Sequence, residues 1–544
     1  MSIFTTKRQK YIREMKTSKA LTAGKRVVTF NPEAVYVPLV DPVSAKPLTL
    51  NVKVGDEVKV GTVIGTRVES SIPVFSTVSG VVESEALLLH AALGRNVKHF
   101  VIKNDQKYDK EPNLPALGED ATKEQLVERL KDAGILGYGG AGFPTYLKYQ
   151  AKNIDTIIVN GIECETHLTD DYNILLTHKD EIVAGLKCLM KAAGATKGYI
   201  AYKKSYKDVA KFYKDVAKEN ENIKVVAVSD SYPSGWERQL VKSVTKRTYN
   251  SLPSEAGVIV NNVETVLYSG RAILKGEVAT KKIMTVSGEG IKNPSKVELP
   301  IYTRAIDVIN YFGGYTAESV SVSFGGAMTS RGVMDDKAVI LPFTRGLTIL
   351  PRIKLNTVSC LNCGTCTLHC PTDLQPVEIM KAQIAKNTDR IMDYEPWHCV
   401  GCSLCSYVCP SKIDVSDYVK KAKLVANIQL KKLEMQKKPV ATETKKKVNK
   451  VNKYPIDVDF ASFNTKLIYG ILCILLYPVG VPHFILNNKK EGAKQIIKFI
   501  IASLTTMFLV GSIFLTIWSI KGLILGIKTL VSLKNKEETK KEGK

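Results

Sequence analysis

Cysteine is nearly absent outside one short stretch. Of the 11 cysteines in 544 residues, only Cys164, Cys188 and Cys473 lie outside positions 360–409. That usage argues against a secreted disulfide scaffold and points to a reducing compartment. No apolar run follows the basic residues Lys7 and Arg8, so no signal peptide is expected. No Gly-Lys-Ser or Gly-Lys-Thr follows the glycine-rich run at 137–142, which excludes a Walker phosphate loop. A helix is predicted before that run where a dinucleotide fingerprint needs a strand, so the run is a poor Rossmann fingerprint too. The β-rich stretch 31–105 has no lysine at an exposed hairpin tip. A swinging-arm carrier is therefore excluded there, and a packing or docking role is expected.

Acidic residues are too few to balance the bases, and the net charge is +24. The excess is not spread evenly. Residues 421–544 carry 23 lysines against 8 acids, and these lysines flank apolar segments. The expected partner is an anionic membrane surface, not nucleic acid.

What the chain does have is a repeated motif. Cys360, Cys363, Cys366 and Cys370 precede Pro371; Cys399, Cys402, Cys405 and Cys409 precede Pro410. Both runs read C-x2-C-x2-C-x3-C-P, the spacing of a two-cluster bacterial ferredoxin. Three thiolates two residues apart wrap one face of an iron–sulfur cubane. The fourth starts the next segment and reaches the other cluster. Cluster one is thus expected on Cys360, Cys363, Cys366 and Cys409, and cluster two on Cys370, Cys399, Cys402 and Cys405. Zinc sites pair two C-x2-C knuckles and do not need this longer form.

The remaining pattern changes along the chain. Residues 1–30 are basic and weakly patterned. Residues 31–115 read as a small all-β module, with Asn51–Val58 as a hairpin turning at Gly55-Asp56. Val54-Gly55-Asp56 through Ser79-Gly80-Val81-Val82 resembles a barrel-sandwich (lipoyl-like) domain. From 116 to 275 strands alternate with helices, with strands near 156–160, 199–202 and 224–228 and helices near 179–193 and 206–217. That alternation predicts a mostly parallel sheet. Residues 276–345 suggest a small β-grasp module. The cluster stretch falls within 346–430.

Within the α/β part, Gly137, Gly139, Gly140 and Gly142 allow close backbone approach to an anion, and Lys148 lies about one turn beyond Pro144. A nucleotide or flavin cradle and a merely tight turn both fit. Asn160, Glu163 and Glu165 follow a predicted strand, at the end where open α/β sheets bind ligands. A solvated loop fits equally. Cys164 reads as a packing residue, since no activating group is evident.

The order of these features is specific. Glycine run, Asn-x-x-Glu-x-Glu, Asn261-Asn262-Val263-Glu264-Thr265, β-grasp module and paired cluster motifs follow one another as in the RnfC subunit of the Rnf electron-transport complex. That subunit is related to the flavin-bearing subunit of respiratory complex I. The resemblance spans roughly residues 15–425 by motif order. It implies FMN and NAD(H) as cofactors beside two [4Fe–4S] clusters. It places Gly137, Gly139, Gly140, Gly142 and Lys148 at the flavin phosphate, and Asn160, Glu163 and Glu165 beside the flavin and nicotinamide. Glu237 matches an acid after a Tyr-x-x-Gly turn, and Asn261 and Asn262 match asparagines near the phosphate. Ile162 and Trp236 replace acids of the complex I subunit, which bears on the NAD contacts. The implied partners are other membrane and iron–sulfur subunits, with ferredoxin reached through them.

A lysine-rich linker is expected over 431–460, then a transmembrane hairpin over 461–533 and a basic tail over 534–544. Leu467–Leu486 and Ile496–Ile520 are apolar enough to span a bilayer. Lysines on both outer flanks place both ends in the cytoplasm, with the catalytic domains. The hairpin weakly resembles TM2-type proteins and is atypical of RnfC. Its two apolar spans contain no acid, so it is not expected to pump ions. The fold class expected is therefore multidomain α/β and α+β: barrel-sandwich, Rossmann-like flavin domain, SLBB-like β-grasp, ferredoxin-like domain and membrane hairpin. The function expected is electron transfer between NAD(H), FMN and the clusters in a ferredoxin:NAD+ oxidoreductase complex that translocates Na+ or H+. The rivals are a stand-alone reductase of the cobalamin reductase type and an adaptor that only relays electrons.

Overall fold

The computed structural model describes residue 15 and residues 17–437, apart from Glu119, Ala141 and Arg331. The predicted linker, membrane hairpin and basic tail lie outside the described residues, except for the linker's first residues. Those are helical and end the helix Val415–Lys437. Among the described residues no helix is long and apolar enough to cross a membrane.

Alternation of apolar and polar residues builds the first domain. Ala34–Pro38, Arg95–Asn104, Gly80–His90 and Glu57–Val58 form one antiparallel sheet, in that order. Thr49–Leu50, Val63–Thr66 and Pro73–Phe75 form a second. Val35, Val37, Ile64, Val78, Val82 and Ile102 fill the space between them. The expected hairpin at 51–58 needs correction. Gly55 does take a left-handed turn (φ +97°) and Asp56 Oδ2 accepts from Lys53 N. The flanking strands, however, pair with different partners, Thr49–Leu50 with Val63–Thr66 and Glu57–Val58 with Gly80–His90. The turn carries the chain from one sheet to the other.

The α/β domain has four parallel strands in the order Ile223–Val228, Lys197–Lys203, Thr156–Gly161, Val258–Asn262. Strands Thr156–Gly161 and Val258–Asn262 are short apolar runs buried on both faces, as parallel sheets require, while the edge strand Ile223–Val228 is partly exposed. Helix Lys179–Ala193 packs on Val263–Lys275 so closely that Gly185 and Gly270 face each other. A Cβ on Gly270 would lie 2.9 Å from the Gly185 Cα. The single helix expected at 206–217 is broken into Lys207–Phe212 and Val216–Glu219.

Six strands make the third sheet, ordered Val27–Thr29, Ser295–Pro300, Lys281–Ser287, Gly346–Pro351, Val320–Phe324, Gly332–Val333. Helix Ala305–Tyr311 covers it. The first strand comes from the weakly patterned N-terminal segment and pairs in parallel with Ser295–Pro300.

The cysteine region is helical, and no strand is formed among its described residues. Each motif has the same backbone plan. Asn362 and Gly364 flank Cys363 with positive φ, as Gly401 and Ser403 flank Cys402, and Asp373 and Lys412 follow in the same manner. Left-handed residues on both sides of the second cysteine turn the loop tightly enough to aim successive thiols at one point.

Candidate functional site

Two cavities lie in the helical domain. One is lined by Cys360, Cys363, Cys366 and Cys409 with Met380 and Ile413. The other is lined by Cys370, Cys399, Cys402 and Cys405 with Leu374 and Val419. Four thiols converging between apolar walls are the donor set a [4Fe–4S] cluster takes, so these residues fit that group. Burial pushes the Cys402 thiol up to about 12, and neighbouring cysteines add to it. Cys405 is raised for the same reasons. Thiolates packed this closely need a cationic centre to keep them ionised. Gly401 N donates to Cys399 Sγ at 3.3 Å, and Asn362 N to Cys360 Sγ at 3.5 Å, contacts of the kind that tune cluster potential.

The two cavities differ in setting. Cys402 is buried and Cys363 is exposed. Cys402 belongs to an apolar junction with the α/β domain, where Tyr232, Cys402 and Leu404 pack with Cys164, Trp236 and Met328. Tyr232 Oη donates to Cys402 O at 2.7 Å and Gln239 Nε2 to Pro371 O at 3.0 Å.

The glycine run sits at the carboxyl end of the parallel sheet. Gly137 N donates to Phe143 O at 2.9 Å, closing the loop on itself. Tyr138 fixes it from below. Its N–H donates to Thr265 Oγ1 at 3.0 Å and its ring stacks on Tyr268 with centroids 4.8 Å apart. A Cβ on Gly139 would lie 2.4 Å from Asn262, and one on Gly142 2.3 Å from Phe343. One on Gly140 would meet nothing within 4 Å, so the loop faces open space there.

The strand ends bring the asparagines beside this loop. Asn262 Oδ1 accepts from Glu264 N at 2.9 Å and caps the next helix, while its Nδ2 donates to Asp171 Oδ1 at 2.8 Å. Asn261 Nδ2 donates to Tyr149 Oη, yet its Oδ1 is buried with no hydrogen-bond partner among the described residues. A buried orphan acceptor beside a glycine loop suits a ligand's donor group, and the cradle fits a flavin mononucleotide. Asn160 holds its own strand end to the next turn, accepting from Ile162 N at 3.0 Å and donating to Gly235 O at 2.9 Å.

Among the acids, Glu163 is wholly buried and accepts from Asp171 N and Tyr172 N at the start of helix Asp170–Thr177. Burial pushes its carboxyl up to about 8 against the pull of Lys19, with Asp170 and Asp171 raising it further. Glu165 does not face open space. It accepts from Met328 N and Thr329 N, both at 3.1 Å, and from Thr329 Oγ1. Lys148 Nζ donates to Val260 O at 2.8 Å, and burial lowers its basicity against the pull of Glu237. The two residues influence each other electrostatically, Glu237 being raised by its own burial.

Four charged residues here went unnoticed in the sequence. Arg345 Nη2 donates to Asp171 Oδ2 at 2.9 Å, and Nη1 approaches Gly139 O at 3.4 Å. Lys19 Nζ donates to Glu163 O and Leu168 O. Asp170 and Asp171 lie with Glu163 in one group of buried carboxylates. Paired acids opening a helix were a readable signal for Asp170 and Asp171. Arg345 and Lys19 reach the site from remote segments, and no local pattern announces them.

Known proteins share this arrangement. Residues 13–107 match the RnfC barrel sandwich hybrid domain, 130–268 the Nuo51 FMN-binding domain and 359–413 the 4Fe-4S dicluster domain. The RnfC-type subunit of the Na(+)-translocating ferredoxin:NAD(+) oxidoreductase complex of Acetobacterium woodii is 32% identical over 380 residues, covering 68% of this chain and 84% of that protein. Its counterpart in the proton-translocating complex of Clostridium ljungdahlii is 30% identical over 371 residues, covering 66% and 80%. The cobalamin reductase of Citrobacter freundii is 29% identical over 311 residues, covering 53% and 68%. On its domains and on that coverage, the chain belongs to the RnfC family of electron-transfer subunits.

Proposed function

We propose that this protein passes electrons between NAD(H), FMN and two [4Fe–4S] clusters as the RnfC subunit of an ion-translocating ferredoxin:NAD+ oxidoreductase complex. The observation that carries the reading is the adjacency of the two halves. A cavity ringed by Cys370, Cys399, Cys402 and Cys405 abuts the α/β domain through the bond from Tyr232 to Cys402.

Flavin chemistry supplies the exchange between a two-electron hydride and single electrons. The chain's own residues bind and orient. Gly137, Gly139, Gly140 and Gly142 offer backbone to the FMN phosphate, Asn261 Oδ1 meets a donor of the ligand, and Asn160 and Asn262 fix the strand ends. Glu163, whose carboxyl burial raises, lines the flavin side. Lys148 belongs to the FMN phosphate region and Glu237 to the cofactor site. Cys360, Cys363, Cys366 and Cys409 hold the outer cluster, and the other four cysteines the inner one. The exposed outer cluster faces partner subunits, which exchange electrons with ferredoxin.

In this reading the domains run 31–115, 116–275, 276–345 and 346–430, with strand Gly346–Pro351 at the last boundary completing the third domain's sheet, and attachment to an anionic membrane is by the hairpin at 461–533. The kinship with ion-translocating complexes supports a place at the cytoplasmic face. The test is iron and flavin content of anaerobically purified protein, then titration with NADH with and without ferredoxin. Flavin bleaching followed by cluster reduction is expected. Zinc in place of iron, or colourless protein, overturns the proposal. Bleaching that reduces a corrinoid and leaves ferredoxin untouched favours the stand-alone reductase instead.

A further inference from the structure

Glu165 stands in the position that the family resemblance gives to the nicotinamide side. Its carboxylate is nonetheless fully engaged by the third domain. The loop after strand Val320–Phe324 lays its backbone on that carboxylate, with Met328 N and Thr329 N each at 3.1 Å and the Thr329 hydroxyl added. The contact leaves no room for a side chain, since a Cβ on Gly326 would lie 2.1 Å from the Glu165 carboxylate. The loop is tied at its base. Thr348 Oγ1 donates to Gly325 O at 2.6 Å and Ser330 N to Gly326 O at 3.2 Å. Between the two N–H groups that grip the acid, the side chain of Met328 packs on the Tyr232, Cys402 and Leu404 group at the inner cysteine cavity.

We propose that Glu165 is a positioning residue that latches this β-grasp loop shut, so that Met328 seals the junction between the flavin cradle and the inner cluster. The acid works through the loop and makes no contact with nicotinamide. Charge-assisted bonds from two backbone amides and a hydroxyl hold the loop in one place. A thioether filling the gap keeps water out of the junction and keeps the spacing between the two redox sites constant. This inference rests on the electron-transfer reading above, in which one electron leaves the flavin as one enters the inner cluster.

The test uses the full chain, purified anaerobically with its cofactors, and the variants Glu165→Gln, Thr329→Val and Thr329→Ser. The first readout is amide hydrogen exchange of the 325–330 loop, which needs no turnover. Glu165→Gln and Thr329→Val are expected to speed it by roughly tenfold, the loss of one charge-assisted bond, while Thr329→Ser keeps the hydroxyl and stays near wild type. The second readout separates NADH binding from onward transfer in rapid mixing. Both impaired variants are expected to keep the NADH dependence of flavin bleaching within about twofold and to slow the following cluster reduction by about tenfold. A rise in the NADH requirement for Glu165→Gln alone, with Thr329→Val unchanged in both readouts, would make Glu165 a nicotinamide contact and overturn the latch. Unchanged exchange in both variants overturns it as well. Protein without flavin sinks the electron-transfer reading instead, and leaves the exchange result to judge the latch separately.

Discussion

Acid should open the barrel-sandwich domain, because two of its histidines are buried without room for a proton. His90 and His99 are 0% exposed. Leu93 N donates to His90 Nδ1 at 3.2 Å and His99 Nδ1 lies 2.9 Å from Val97 O. The Nε2 atom of each is buried with no partner among the described residues. Burial pushes both imidazoles down to about 4; for His90 the neighbouring His99 and Arg67 push the same way and Asp41 opposes them. The ordinary value is 6.5. Between 6.5 and about 4 the unfolded chain therefore binds more protons than the folded one, so stability rises with pH across that window. Above it neither histidine costs anything.

At pH 5 one such histidine has removed about 2 kcal/mol, a factor of about thirty in domain opening, on its way to about 3 kcal/mol below pH 4. The second adds about as much, since the unfolded chain protonates each histidine independently while both stay mostly neutral in the fold. That is a large share of the roughly 5–15 kcal/mol that holds a domain folded. The domain also supports the cradle. Tyr146, in the helix after the glycine run, donates to Ser70 O at 3.0 Å. Flavin should therefore leave as the sheet opens. Amide exchange in strands Gly80–His90 and Arg95–Asn104, corrected for intrinsic rate, should accelerate by several hundredfold between pH 7 and pH 5, the product of the two histidines' effects. The variant His99→Leu should lose about half of the response in free energy. Equal pH responses in the two proteins, or protection unchanged down to pH 5, would refute the reasoning.

Ligand exchange between the motifs gives a second prediction. Cys409→Ser should remove about half the iron and leave the same residual EPR signal as Cys360→Ser, while Cys370→Ser should match Cys402→Ser. A match between Cys409→Ser and Cys402→Ser would mean each motif ligates its own cluster. At the cradle, Gly139→Ala should lower flavin content by about tenfold, through a clash worth about 1–3 kcal/mol against Asn262, while Gly140→Ala keeps it. Released flavin fluorescence measures both, and equal retention would argue against a glycine cradle. Tyr232→Phe should leave Cys402 O unpaired and weaken docking of the cluster domain by about 1 kcal/mol. Limited proteolysis of the 352–358 connector should quicken a few-fold, and an unchanged cleavage rate would show that the bond contributes nothing.

Short-range chemistry was open to sequence reading. A cluster loop needs thiols and left-handed turns within a dozen residues, so its spacing is written locally. Strands Thr156–Gly161, Lys197–Lys203 and Ile223–Val228 and helix Lys179–Ala193 were legible because burial imposes a period on adjacent residues. The turn at Gly55-Asp56 was legible too, but its strand partners were not, because a turn's residues do not encode which sheet each arm joins. Only the tertiary structure put strand Val27–Thr29 beside Ser295–Pro300, brought Arg345 to Asp171 and laid Thr329 on Glu165. These pairings join segments more than a hundred residues apart, where no periodicity links the partners and complementary charge or backbone is recognised only once the chain has folded. What the acids of the cradle do was accordingly decided by remote neighbours, while what the cysteines do was already stated in their spacing.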